Sequence, residues 1–321
     1  MNITEPHDIN WHPDHLGAGF EMRHIVHPDD YGGHVRSTVI RRLSADKSQR
    51  SVLYVHGFSD YFIQKEMAEM FAGNGYNFYA VDLRKYGRSL LPGQKMFQVR
   101  DLHEYFADID SAIEVMESDG NMEIILLGHS TGGLITSLYM SETPASMIKA
   151  LILNSPFLDW NLPAAIRHIA MPIVCALGKI MPNVRLRQKP DTKYAETLSI
   201  EHGGEWNYRK EWKPDILPDP DMGWARAIHT GQRKLRRSTI DVPVLLMRSS
   251  DSVRSGDSKE KYYRADAILD VDAISKHGKN LGRDVTEVCF TGGLHDLALS
   301  KKEIRQQMYK TMLEWLNKRG L

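Results

Sequence analysis

The chain has 321 residues, of which 42% are hydrophobic and 26% are charged, and this composition fits a soluble protein with one elaborated globular domain. Its 41 Lys and Arg residues balance its 41 Asp and Glu residues, so overall charge gives no reason to expect nucleic acid or an anionic membrane as a partner. It contains no run of about twenty apolar residues, which argues against a transmembrane helix and integral membrane association.

The beginning of the chain and its cysteines add little that is specific. Met1 to His15 lack the basic start and apolar core of a secretory signal, so we expect a cytoplasmic location. Cys175 and Cys289 lack the spacing of a disulfide framework or a zinc site, and we expect both to be buried thiols. No metal and no other cofactor is expected, and the sequence leaves the oligomeric state open.

Segments of strand length alternate with segments of helical periodicity in the first half of the chain. The first two strands flank Tyr31-Gly32-Gly33, which is typical of a hairpin turn. The predicted strands are Glu21–His27, Val35–Leu43, Val52–Val55, Phe78–Val81, Ile124–Leu127 and Ala150–Leu153, and the predicted helices are Phe62–Ala72, Tyr105–Met116 and Leu134–Ser141. This alternation predicts an α/β fold, a mostly parallel sheet with helices on both faces.

The alternation stops after Ser155-Pro156. From Phe157 to Ser238, prolines repeatedly interrupt the apolar stretches and no strand pattern is clear, so we expect an inserted subdomain rather than a bare loop. The pattern resumes with a strand at Val242–Met247, a helix within Lys259–Lys276, a strand at Val285–Phe290 and a final helix. We therefore predict one core made of residues 1–156 and 239–321, with residues 157–238 as a cap.

A pentapeptide between a predicted strand and a predicted helix indicates the chemistry. Gly128-His129-Ser130-Thr131-Gly132 has the pattern of a nucleophile elbow, in which a sharp turn raises the serine oxygen above the sheet edge. Such a turn brings its neighbours against adjacent backbone, so small residues are required at Gly128 and Gly132. We predict Ser130 as the nucleophile.

A serine nucleophile needs a histidine base and a carboxylate that orients it, and with this elbow they follow in the order acid, then histidine. Asp251 and His295 each lie just past the predicted carboxyl end of a parallel strand, and such ends share one sheet edge. We predict His295 as the base and Asp251 as the acid. Other candidates for the acid are Asp159 and Asp257, with Asp284 and Asp296 weaker because they adjoin His295 along the chain.

The same chemistry requires two backbone donors for the developing oxyanion. One is predicted to be the amide of Thr131, directly after the nucleophile, and the other the amide of Phe58 in the loop His56-Gly57-Phe58. Gly57 lets the backbone approach the substrate closely. His56 and His129 are grouped with the glycines as supporting residues.

Together these residues resemble an α/β-hydrolase of the monoacylglycerol lipase and lysophospholipase type, a group that includes serine aminopeptidase-like sequences. The resembling segments, which lie between about residues 50 and 300, are His56–Phe58, Asp82–Ser89, Gly128–Gly133, Asn154–Phe157, Val242–Leu245 and Gly293–Asp296. The resemblance implies an α/β-hydrolase fold, ester hydrolysis and a lid formed by residues 157–238. Two features depart from it: Lys85 replaces a usual glycine, and more residues than usual separate Asp251 from His295.

The function retains alternatives. An esterase acting on monoacylglycerol, lysophospholipid or similar small acyl esters is favoured, and transient contact with a lipid surface is compatible with it. A peptidase or amidase would use the same triad, with Glu201, Glu205 or Asp215 gripping a substrate amine. A third alternative is a non-catalytic binding protein of the same fold. One cap segment has apolar residues at helical spacing that either line an acyl pocket or pack on the core: Leu162, Ile166, Ile169, Ile173, Val174, Leu177 and Ile180.

Overall fold

A computed structural model describes residues 10–143 and 146–321. Most of the N-terminal segment in which no secretory signal is expected, residues 1–9, lies outside the described residues. Within them, nine strands form one sheet in the order β1-β2-β3-β5-β4-β6-β7-β8-β9. The strands are β1 (His12–Pro13), β2 (Glu21–Asp30), β3 (Gly33–Arg42), β4 (Arg50–Val55), β5 (Asn77–Asp82), β6 (Glu123–His129), β7 (Ile148–Asn154), β8 (Val244–Ser249) and β9 (Val285–Phe290).

The sheet is parallel where the crossover helices lie and antiparallel at its N-terminal edge. Strands β4 to β9 pair in parallel, whereas β1, β2 and β3 are antiparallel to their neighbours. The helices are α1 (Lys65–Gly73), α2 (Phe106–Ser118), α3 (Thr131–Glu142), α4 (Met171–Gly178), α5 (Lys193–Leu198), α6 (Met222–Leu235), α7 (Val271–Gly278) and α8 (Lys302–Asn317). The predicted α/β architecture is confirmed.

Side chains alternate along the central strands and so build a core on each face of the sheet. In β4, Leu53 and Val55 belong to one core and Val52 and Tyr54 to the other, as the period of two in a strand requires. The first core is covered by α2, α3, α6 and α7, and the second by α1 and α8. Near-continuous apolar strands are the expected signature of a sheet buried on both faces.

Between β7 and β8 the chain leaves the sheet and forms α4, α5 and α6, within residues 157–238, which we call the cap segment. Helix α6 packs on α3 and α4 packs on α6. A Cβ on Gly231 of α6 would lie 2.6 Å from Cδ1 of Leu102, which precedes α2, so the glycine allows α6 to lie close to Leu102. A π-helical turn, Ile166–Ala170, precedes α4 and Pro172, where a disturbance of the helix is expected.

The apolar residues of the cap segment are divided between two environments. Leu162 and Val174 pack against the first core, whereas the residues Ile169, Ile173 and Ile180 are 65%, 57% and 79% exposed. Neither expectation, pocket lining or core packing, therefore describes the whole set.

Two further features of the structure bear on the sequence predictions. No helix among the described residues is long and apolar enough to cross a membrane. The expectation of two buried thiols is wrong for Cys289, which is exposed, and Cys175 is half-buried. Cys289 lies in β9, the edge strand of the sheet, which has a neighbouring strand on one side only.

The turn after β5 explains how Lys85 replaces a glycine. Lys85 adopts a φ of 65°, a left-handed conformation that favours glycine. Its side chain is only 1% exposed and its ammonium forms an ion pair with Asp30 of β2. The cost of the backbone conformation is thus accompanied by a buried contact that glycine cannot make.

Candidate active site

Ser130 lies in the sharp turn between β6 and α3. Its φ of 51° and ψ of −116° are unfavourable for a residue with a side chain. The turn is held by hydrogen bonds from Ser130 N–H to the Asn154 carbonyl (3.0 Å) and from Phe157 N–H to the Ser130 carbonyl (2.9 Å). These bonds fix the strained residue at the carboxyl end of β6.

The glycines of the elbow are required by close backbone contacts. A Cβ on Gly128 would lie 2.7 Å from the Gly132 carbonyl oxygen, and one on Gly132 would lie 2.3 Å from the Val55 carbonyl oxygen. Such distances are too short for any side chain. The structure therefore gives a physical reason for both glycines.

Three side chains form a hydrogen-bonded chain at this edge of the sheet. His295 Nε2 lies 2.9 Å from Ser130 Oγ, and His295 Nδ1 lies 2.9 Å from Asp266 Oδ2. Ser130, His295 and Asp266 are all buried. Because the carboxylate accepts a hydrogen bond from Nδ1–H, Nε2 is left with a lone pair directed at the serine hydroxyl.

The carboxylate that contacts His295 is Asp266, and the prediction of Asp251 is corrected. Asp251 has a side chain that is 56% exposed and pairs with Lys261 at 3.1 Å, which lowers the pKa of Asp251. Its carbonyl accepts the Asp266 N–H (2.9 Å), and Val253 N–H donates to the Asp266 carbonyl (2.7 Å). The chain leaves the sheet edge after Asp251 and returns beside it, so Asp266 occupies the place expected for Asp251.

Asp266 is held in place by its own hydrogen bonds. Its Oδ1 accepts the N–H groups of Ile268 and Leu269, both at 2.8 Å. Sequence reasoning missed Asp266; the one signal near it is the excess length between Asp251 and His295, the segment in which Asp266 lies.

The remaining acidic candidates are committed elsewhere. Asp159 binds Arg167 and Arg236, Asp257 binds Lys261, and Asp284 binds Arg319. The carboxylate of Asp296 binds Gln64 and Asn154. None of these four carboxylates bonds to His295 in the described structure.

The loop after β4 lies against the nucleophile. A Cβ on Gly57 would lie 3.0 Å from Ser130 Cβ, so the backbone approaches Ser130 closely here. His56 Nε2 accepts the Leu83 N–H (3.1 Å), which leaves His56 Nδ1 to donate to the Gly57 carbonyl (2.8 Å). Burial lowers the pKa of His56, and the neutral ring thus braces the loop.

The two residues predicted as oxyanion donors lie next to the elbow. Within the described part of the chain, the amide N–H groups of Phe58 and Thr131 donate to no other group. Phe58 follows the loop that touches Ser130, and Thr131 opens α3 directly after it. Amides beside a nucleophile that have no internal acceptor are what an oxyanion site requires.

Comparison with known proteins identifies the family of the chain. Residues 46–299, most of the chain, match the family model described as serine aminopeptidase, S33. The chain belongs to this family of α/β-hydrolases.

Relatives of the hydrolase include lipases. It is 29% identical over 119 residues to phospholipase YtpA of Bacillus subtilis (strain 168), and that match covers 37% of this chain but only 44% of the phospholipase. It is 22% identical over 256 residues to a monoglyceride lipase homolog of monkeypox virus, covering 78% and 83% of the two chains. The crystal structure of Paleococcus ferrophilus monoacylglycerol lipase has a TM-score of 0.64 and 21% identity over 87% of this chain and 98% of that one. The chain is thus an esterase- or lipase-like hydrolase by family.

The cap segment of the hydrolase reaches the site with aromatic side chains. The ring of Trp224 in α6 lies 4.5 Å from that of Phe58, and the ring of Tyr194 in α5 lies 6.0 Å from that of His295, between centroids. The ring of Phe97, a residue of the first core, lies 5.1 Å from that of Phe58, between centroids. An apolar, aromatic wall thus adjoins one predicted oxyanion donor.

One buried group of the hydrolase has the residue types of a metal site. Ligand atoms of Asp60, His129 and Asp296 lie within 4.8 Å of one another. However, the Lys213 ammonium already lies 2.8 Å from Asp60 Oδ1, and both Asp296 oxygens accept amide hydrogen bonds. A divalent cation would lie beside an ammonium and compete with the amide hydrogen bonds to Asp296, so these residues fit a metal poorly.

Proposed function

We propose that this hydrolase is a serine carboxylic ester hydrolase that cleaves small acyl esters through an acyl-enzyme, with monoacylglycerols and lysophospholipids as the leading substrate classes. The observation that carries the proposal is the hydrogen-bonded chain from Ser130 Oγ through His295 to Asp266, in which a strained, buried serine faces a correctly oriented imidazole. The names of its lipase relatives support the substrate class.

In the acylation step, His295 Nε2 takes the Ser130 proton while Oγ attacks the ester carbonyl. Asp266 stabilises the resulting imidazolium through Nδ1. The oxyanion accepts hydrogen bonds from the amides of Phe58 and Thr131, of which a single donor contributes about 2.7 to 4 kcal/mol in such sites. His295 then protonates the leaving alcohol, and the acyl group remains bonded to Ser130.

Deacylation repeats the same steps with water. His295 removes a proton from water as its oxygen attacks the acyl carbon, and the second tetrahedral intermediate uses the same two amides. The imidazolium returns its proton to Ser130 Oγ as the carboxylic acid leaves. No step requires a group beyond these residues and water.

A peptidase or amidase is the second candidate because the family is described as serine aminopeptidase. The acidic residues that would grip a substrate amine are already paired: Glu205 with Arg305, and Glu201 and Asp215 with Lys210. This pairing favours esters over peptides with a free amine. The intact Ser130, His295 and Asp266 set likewise favours an enzyme over a non-catalytic binding protein.

The nucleophile is tested with a fluorophosphonate probe followed by intact-mass measurement. We expect one covalent adduct on the wild-type chain and none on Ser130→Ala, with Ser137→Ala in α3 as a matched serine control that still reacts. A folded wild-type protein that does not react would contradict the enzyme proposal.

Substrate class is tested with p-nitrophenyl and glycerol esters of increasing chain length, beside the corresponding amides and an aminoacyl p-nitroanilide. We expect ester cleavage with kcat/KM rising as the acyl chain lengthens, because longer chains bury more apolar area. Preference for the p-nitroanilide would favour the peptidase, and a preference restricted to the shortest acyl groups would reject monoacylglycerols and lysophospholipids.

A further inference from the structure

A group of charged residues lies beside the proposed triad, and none of its members takes part in the acylation and deacylation steps described above. It consists of Asp60 in the loop after β4, His129 directly before Ser130, Lys213 of the cap segment and Asp296 directly after His295. We call these four residues the buried charge cluster. Asp60, His129 and Asp296 are each less than 5% exposed.

His129 lies between two carboxylates. Its Nδ1 lies 3.7 Å from Asp60 Oδ2 and 4.0 Å from Asp296 Oδ2. Neither ring nitrogen has a hydrogen-bond partner among the described residues, and Asp60 Oδ2 likewise has none. Both carboxylates thus lie within ion-pair distance of Nδ1 but beyond hydrogen-bond distance, and at this separation each of them attracts a positive charge on the imidazole.

Charge balance gives the same answer. Asp60 and Asp296 carry two negative charges and Lys213 one positive charge, so a neutral His129 would leave a net negative charge buried. A proton on His129 makes the cluster neutral. Burial opposes the charged ring, but the Asp296 and Asp60 carboxylates outweigh it and raise the pKa of His129.

Charged and titratable groups face His129 from every element packed on it. They are Asp60 and His56 from the end of β4 and its loop, His295 and Asp296 from the loop after β9, and Lys213 from the cap segment. The ring of His295 lies 5.0 Å from that of His129, between centroids. A positive charge at His129 therefore opposes a second positive charge on His295.

We propose that His129 is a positively charged positioning residue that keeps His295 in its neutral, proton-accepting form, and that its charge is set by Asp60, Asp296 and the cap residue Lys213. The effect on catalysis rests on the proposed function, whereas the charge of His129 does not. Because Lys213 belongs to the cap segment, the same contact links the seating of the cap to the electrostatics of the site.

The charge is measured directly by nitrogen-15 NMR of the full chain labelled at histidine, with His129 assigned by comparison with His129→Gln. We expect His129 to be doubly protonated at pH 7 and to lose its proton at higher pH. A neutral His129 at pH 7 overturns the proposal. This readout requires no activity, so it stands or fails separately from ester hydrolysis.

The consequence for His295 is measured on the same samples. In His129→Gln, whose side chain cannot carry charge, we expect the NMR titration of His295 and the acidic limb of the kcat/KM profile to move to higher pH by about one unit. His277→Gln, a control at a distant histidine paired with Asp159, should leave both unchanged. An unmoved His295 titration in a folded His129→Gln protein overturns the proposal.

Lys213→Met tests the link to the cap. Without the ammonium, His129 is the only positive group beside Asp60, so we expect the NMR titration of His129 to move to higher pH. A general disruption of the cluster would instead move it to lower pH. A move to lower pH overturns the role of Lys213. All spectra are repeated with EDTA and with added Zn²⁺, and EDTA-sensitive His129 signals would mean that the cluster is a metal site instead.

Discussion

At the level of single residues, the contact between His295 and Asp266 separates two carboxylates that the sequence does not distinguish easily. The backbones of Asp251 and Asp266 lie side by side, because the Asp266 N–H donates to the Asp251 carbonyl. Their side chains differ completely: Asp266 is fully buried against His295, whereas Asp251 is exposed beside Lys261. Only the buried carboxylate can fix the tautomer of the imidazole.

Asp266→Asn is therefore expected to lower kcat by about 10³- to 10⁴-fold, because an amide at this position favours the wrong tautomer of His295. Asp251→Asn is the matched control, and we expect its kcat to stay within about twofold of wild type, since only an exposed ion pair is lost. Steady-state ester hydrolysis measures both. Equal losses in the two variants, or a loss confined to Asp251→Asn, would contradict the structural assignment.

Gly57 provides a second test at this scale. A Cβ added there would lie 3.0 Å from Ser130 Cβ and 3.1 Å from His129 Nδ1, so either the loop or the elbow must move by a few tenths of an ångström. We expect Gly57→Ala to lower kcat/KM by about 10- to 100-fold because of this misplacement.

The control for Gly57→Ala is Gly73→Ala at the end of α1, where an added Cβ meets nothing within 4 Å. Both variants are compared by ester hydrolysis and by thermal unfolding. Full activity in Gly57→Ala would show that the loop is not held against the nucleophile as described.

At the level of secondary-structure elements, the sequence predicts helices and strands well, but it does not predict where a long loop comes back to pair with the sheet edge. The elbow was predictable because β6, Gly128 to Gly132 and α3 obey local rules. The position of Asp266 was not, because it depends on backbone pairing of residues 251–253 with residue 266. No local pattern encodes such a pairing, although the excess length before His295 indicated that something differs there.

The cap segment shows the same limit in another form. Helical periodicity predicted a single apolar face around α4, whereas the structure divides these residues between the core and the surface. This division depends on α6, which occupies the core position next to α3 through Trp224 and Ile228. Since α4 packs on α6 rather than on the sheet, Ile169 and Ile173 stay exposed.

Lys85 gives an element-scale prediction in the turn after β5. Lys85→Ala removes the buried partner of Asp30 and keeps the left-handed backbone strain, whereas Lys85→Gly removes both. Breaking a buried ion pair costs about 3–5 kcal/mol, and glycine relieves about 1 kcal/mol of strain. We expect both variants to be destabilised, with Lys85→Gly more stable than Lys85→Ala by about 1 kcal/mol.

Urea unfolding monitored by circular dichroism measures the Lys85 variants, with the slope of the unfolding free energy checked for constancy. Identical free energies of unfolding in the two variants would argue against strain at residue 85. Wild-type stability in both would argue against a contribution from the contact with Asp30.

At the level of the whole molecule, the cap segment is joined to the core by contacts with both the first and the last part of the chain. Tyr61 OH accepts the Arg209 N–H, Trp206 Nε1 donates to the Leu299 carbonyl, and Lys213 pairs with Asp60. These contacts involve the strand-end loops that also carry the proposed site. The later part of the cap segment therefore helps to hold the loops of the proposed site in place, whereas the exposed residues around α4 make none of these contacts.

The Lys213–Asp60 pair makes this connection depend on pH. Burial alone would raise the pKa of Asp60, but the Lys213 ammonium and His129 outweigh it and hold the pKa of Asp60 well below its usual range. An unfolded aspartate titrates near pH 3.9. The stabilisation is therefore complete above that pH and is lost as the pH falls below it, because the unfolded chain then binds a proton that the folded one does not.

We expect the free energy of unfolding of the wild type to fall below about pH 4 more steeply than that of Asp60→Asn, by about 1.4 kcal/mol per pH unit. Asp60→Asn should be the less stable protein at pH 7, and the two should converge as the pH is lowered. Asp251→Asn is the control, since the pKa of Asp251 is also lowered but its side chain is exposed and its ion pair is screened. Urea unfolding at intervals between pH 7 and pH 2 measures the slopes, and parallel curves for wild type and Asp60→Asn would show that the buried pair does not join cap and core.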